Sequence, residues 1–81
     1  MKSNVSTENL AELVSGESAV ILAINTDDAL RQRLMALGFR VGKHVMVVRK
    51  ALFSGPLQVR IGTTDILLRR IEAAKITVDK T

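Results

Sequence analysis

The stretch Leu57–Gln58–Val59–Arg60–Ile61 alternates apolar and polar residues without exception. Successive side chains of a strand point to opposite faces, so this run lays one oily face on a core and a polar one in water. Ser18–Ile24, His44–Ala51, Asp65–Arg69 and the closing Ile76–Val78 read as further strands. Arg40–Lys43, Phe53–Pro56 and Gly62–Thr64 carry the glycines and the proline of turns. Five short strands with tight connections suit a small, partly open barrel, because closure hides edges that a flat sheet exposes. Strand phase predicts an interior of Val20, Leu22, Ile24, Val45, Val47, Val59, Ile61, Ile66, Leu68, Ile76 and Val78.

One helix is expected, over Asp27–Leu37. Thr26 or Asn25 can cap it, and Asp27 and Asp28 sit where the positive end of the helix dipole favours carboxylates. Leu30, Leu34 and Leu37 form an apolar stripe, and Asp27 can pair with Arg31 one turn on. Gly38 ends the helix in left-handed backbone, with Phe39 turned back against Leu34. Shorter helical turns are expected at Glu8–Leu13 and Ile71–Ala74, and frayed ends at Met1–Asn4 and Asp79–Thr81.

The chain has 81 residues and reads as one domain, 1–81. It has no cysteine, which removes disulfides, thiolate zinc sites and cysteine nucleophiles together. His44 is the sole histidine, and the carboxylates lack metal-ligand spacing, so neither a metal site nor a cofactor is expected. Met35 and Met46 read as core fillers. No nucleophile elbow or phosphate-binding glycine loop occurs, and an enzyme is not expected. The longest apolar run, Ala19–Ile24, is far short of the roughly 20 residues of a membrane span. Met1–Glu8 is polar and has no signal-peptide core, so the expected location is the cytoplasm.

What remains is surface. The net charge is +4, from 12 basic and 8 acidic residues. That charge makes a nucleic-acid-binding small β-barrel the alternative reading. Two aromatics and dispersed basic residues weigh against it. Leu52 and Phe53 are adjacent large apolar residues at a hairpin tip. With Arg49, Lys50 and Pro56 around them they form a candidate partner-binding site, and Arg31 and Arg33 on the helix form a second candidate face.

The run Arg33–Leu34–Met35–Ala36–Leu37–Gly38–Phe39, followed by Val41–Gly42–Lys43–His44–Val45, resembles a signature of the ferrous iron transport protein A (FeoA) family. Arg49–Ala51, the turn Gly55–Pro56 and Leu57–Ile61 continue the likeness, and Leu67–Ile76 is similar to the family's ending. The hairpin Ala51–Leu52–Phe53–Ser54–Gly55 departs from the Ala-Pro-Leu-Gly often found there. The resemblance implies an SH3-like barrel and a cytoplasmic accessory of ferrous iron uptake. The implied partner is FeoB, a membrane transporter with a cytoplasmic GTP-binding domain, to which Arg31, Arg33 or Arg40 is a candidate arginine donor. The same domain type is also appended to metal-dependent repressors.

Overall fold

The computed structural model describes residues 7–80. Met1–Asn4 and Thr81, two of the expected frayed stretches, lie outside them. The elements are β1 (Thr7–Asn9), a 3₁₀ turn (Leu10–Glu12), β2 (Ser18–Ile24), α1 (Asp28–Ala36), β3 (His44–Lys50), β4 (Leu57–Ile61), β5 (Thr64–Leu68), α2 (Arg70–Ala73) and β6 (Ile76–Lys80). All strand pairs are antiparallel, in the order β1-β6-β2-β3-β4-β5.

The mainly β expectation holds, with six strands instead of five and a sheet that does not close into a barrel. The extra strand is β1. It is polar throughout, so no apolar alternation announces it; its register against Asp79–Thr77 makes it a strand. Asp79 and Lys80, expected to fray, are the other half of that pairing and belong to β6. The turn expected at Glu8–Leu13 shrinks to Leu10–Glu12, and the one at Ile71–Ala74 starts one residue earlier.

The core is almost wholly aliphatic, with Phe39 its one aromatic side chain. Val45, Val47, Val59, Ile61, Leu68, Ile76, Val78 and Ile24 are buried as expected, and Ile66 is half-buried. The first strand differs. Ala19 and Ile21 are buried, whereas Val20 is half-buried and Leu22 exposed. The cause is a β-bulge. Between Ile21 and Ala23 the strand takes two steps while β6 takes one, from Val78 to Thr77. Leu22 is the extra residue, and beyond it the phase flips so that Ile24 returns to the core.

Helix α1 starts one residue later than expected. Asp27 is its cap, accepting a hydrogen bond from the Leu30 N–H at 2.9 Å, in place of Thr26 or Asn25. That carboxylate therefore does not pair with Arg31. Instead the Arg31 guanidinium donates to the Ile24 and Thr26 carbonyls at 2.8 and 3.0 Å, stitching α1 to the end of β2. The helix ends as a Schellman motif: Phe39 N–H donates to Leu34 O and Gly38 N–H to Met35 O, both at 3.0 Å. Gly38 sits at φ +107°, and a side chain there would also press on Ile61. Leu34 is buried and Leu30 half-buried, but Leu37 and Met35 are left largely exposed, Met35 against its reading as a core filler.

The bulge makes an unequal pair of neighbours testable by urea unfolding. Ile21→Ala is expected to cost roughly 2–5 kcal/mol, the range for emptying a buried aliphatic site, and Leu22→Ala less than about 1 kcal/mol. The reverse order would contradict this register.

Candidate functional site

The β3–β4 hairpin is built to hold its tip in one shape. Val48 is a second bulge: β3 steps from Val47 to Arg49 while β4 steps from Val59 to Gln58. Unbroken alternation from Val45 and Val47 would carry Arg49 inward. The bulge turns Arg49 to solvent and sets Lys50 opposite the buried Leu57. From there Lys50 Nζ donates to the Ala11 carbonyl at 2.8 Å, fastening the hairpin base to the 3₁₀ turn. Lys50 is thus an anchor of the loop rather than a mobile rim charge.

Above that base the Ala51 N–H donates to Pro56 O at 3.0 Å and the Gly55 N–H to Leu52 O at 3.2 Å. Phe53 and Ser54 are both left-handed, at φ 57° and 62°. Such backbone costs a residue with a side chain roughly 1–2 kcal/mol. Gly55 is required by space, since a Cβ there would lie 2.7 Å from the Ala51 Cβ. The strained turn carries Leu52 and Phe53 away from the core, 80% and 98% exposed. Arg49 and Pro56 are exposed beside them. One loop therefore brings together Arg49, Lys50, Leu52, Phe53 and Pro56.

Arg31 and Arg33 do not join this cluster. Arg31 is tied to the β2 carbonyls described above. Arg33 pairs with Glu72, whose other oxygen accepts the Arg69 N–H at 3.0 Å and so caps α2. These two arginines hold helices in place. Arg40 is exposed in the turn after α1. His44 is exposed at the start of β3, and among the described residues no three His, Asp or Glu side chains are grouped to hold a metal ion.

Much of the remaining charge is also paired. Arg60 and Asp65 face each other across β4 and β5, with Nε 2.7 Å from Oδ1, while Gln58 donates to Oδ2 at 3.0 Å. The Arg60 hydrogen bond holds the Asp65 carboxyl below its ordinary range, and Asp65 raises Arg60 in return. Glu17 is lowered chiefly by the Val14 N–H, which donates to it at 2.8 Å, and next by Lys80. Lys80 lies 3.2 Å from Glu17 and 3.5 Å from Glu8.

Two solution tests arise from these features. Ser54→Gly removes left-handed strain without removing buried surface, and is expected to stabilise by up to about 1 kcal/mol in thermal unfolding, whereas Gly55→Ala destabilises. Because Asp65 and Glu17 titrate lower folded than unfolded, their stabilisation is complete above the unfolded carboxylate range and lost as pH falls through and below about 4.5. Urea titrations between neutral pH and about pH 3 should show this loss, and D65N/E17Q should flatten it.

The fold is that of a small SH3-like β protein. The crystal structure of Stenotrophomonas maltophilia FeoA with zinc, described as a prokaryotic SH3 domain protein, superposes with a TM-score of 0.78 at 37% identity, covering 88% of each chain. The FeoA domain model matches residues 8–80, so this chain belongs to the FeoA family. A Porphyromonas gingivalis protein, an Fe(2+) transport protein A/Fe(2+) transporter FeoB fusion, is 39% identical over 70 residues, or 86% of this chain; the chain spans 8% of that fusion. A Campylobacter jejuni protein provisionally named Fe(2+) transport protein A is 31% identical over 70 residues, covering 86% of this chain and 95% of its own.

Proposed function

We propose that this chain is a single-domain, non-catalytic docking module of ferrous iron uptake. It acts in the cytoplasm on the GTP-binding part of a FeoB-type transporter, through the β3–β4 hairpin. The observation that carries the proposal is the strained tip with Phe53 98% exposed. Strained backbone and exposed large apolar residues gather at functional sites. The fused Porphyromonas relative, which joins an FeoA-type and an FeoB-type part in one chain, supports the choice of partner. The Stenotrophomonas protein is described as a candidate ferrous iron transport activating factor, which supports the process. Among the described residues no helix is long and apolar enough to cross a membrane; in this reading the chain meets the membrane through its partner.

The nucleic-acid alternative is weaker on this surface. Arg33, Arg60 and Lys80 are engaged by carboxylates, and Arg31 and Lys50 by backbone carbonyls. The other cations are spread along the chain rather than gathered in one run, and the chain has only two aromatic residues to stack bases.

The double change Leu52→Ser, Phe53→Ser tests the docking tip. It should leave thermal unfolding within a few degrees of the parent, since both residues are exposed. It should weaken calorimetric binding to the FeoB cytoplasmic domain by about 2–4 kcal/mol, as expected for central apolar anchors. Undiminished binding would place the interface elsewhere.

A further inference from the structure

A second surface lies between α1 and the turn that follows it. Ile24, Met35 and Val41 give an open groove of about 260 Å³ its apolar lining, and Arg31 and Arg40 line it as well. Val41 is 67% exposed and Met35 43%. Arg31 is held fast by the Ile24 and Thr26 carbonyls, which occupy two of its five N–H donors and leave its charge at the groove. Arg40 enters none of the ion pairs among the described residues. No carboxylate lines the groove. Two cations beside an apolar lining select a ligand that is both apolar and anionic.

We propose that this groove binds a short protein segment in which an apolar side chain is flanked by carboxylates: the side chain seats on Ile24, Met35 and Val41, and the carboxylates meet Arg31 and Arg40. Charge disfavours the nearest alternative occupant. A second copy's Leu52–Phe53 knob has the right apolar character, but it arrives with Arg49 beside it and is repelled by Arg31 and Arg40. A nucleic acid is poorly served, because no aromatic side chain lines the groove to stack a base. The site goes beyond the hairpin reading and does not depend on it; either surface can fail without the other.

The test uses the whole labelled protein and its amide NMR spectrum. The probe is a blocked five-residue peptide with leucine between glutamates, and its control has glutamine for every glutamate. The glutamate peptide should shift the amides of Ile24, Met35, Arg40 and Val41, and bind about tenfold more tightly than the control. Arg40→Glu should weaken it by about tenfold, Val41→Asp should abolish it, and Phe53→Ser should leave it unchanged. Both groove positions are exposed, and a preserved amide spectrum shows that each variant is folded. Equal binding of the two peptides, shifts confined to the hairpin, or no shifts at millimolar peptide would overturn the proposal. So would groove shifts that grow with protein concentration alone, since they would make a second copy the occupant.

Discussion

Strand β2 sits inside the sheet with β6 on one edge and β3 on the other, and its single extra residue sets the geometry of the whole. Ile21 and Ile24 both reach the core only because Leu22 is bulged between them. The carbonyl of Ile24, at the end of that strand, then receives Arg31 and so fixes where α1 lies. Ile21 also exchanges backbone hydrogen bonds with the turn after the helix: its N–H donates to Lys43 O at 2.9 Å and its carbonyl accepts from Gly42 N–H at 2.8 Å. Helix, turn and sheet are thus tied to one short piece of chain, and the Arg31–Arg40 groove forms at the junction.

The second bulge, at Val48, does for the hairpin what the first does for the helix. It decides which of two adjacent cations faces water. Arg49 is exposed to solvent, and Lys50 donates to the Ala11 carbonyl. A base fastened in this way lets the tip hold two successive left-handed residues, strain that an untethered loop would relax. Rigid presentation matters for association, because a loop already in its bound shape loses less entropy on docking.

Local chemistry made much of this legible in the sequence. The alternation of Leu57–Ile61, the acidic start of α1 and the Gly38–Phe39 ending are short-range signals, and each element lies within a residue or so of where they place it. Exposure of at least one of Leu52 and Phe53 was legible for the same reason, since two large apolar residues do not easily both turn inward at a hairpin tip; that both are exposed goes with the left-handed turn at Phe53 and Ser54. What escaped depends on partners distant in the chain. β1 is a strand because Thr77–Asp79 pairs with it, and Leu22 is bulged because of the register against β6. Arg31 abandons Asp27 because two carbonyls of the preceding segment lie within reach. The groove escaped too: Met35 reads as core and Val41 as turn until the helix is set against β2.

Photo-crosslinking in cells reads out whether the strained hairpin tip is the face offered to a FeoB-type transporter, as proposed. A benzophenone amino acid replacing Phe53 keeps the aromatic character of the tip, and the same group replacing Gln32, exposed on α1, serves as the reference. Irradiation should yield an adduct with the FeoB-type transporter from position 53 and little or none from position 32. Equal adducts from both positions, or none from position 53 in a protein that still supports iron uptake, would contradict the account.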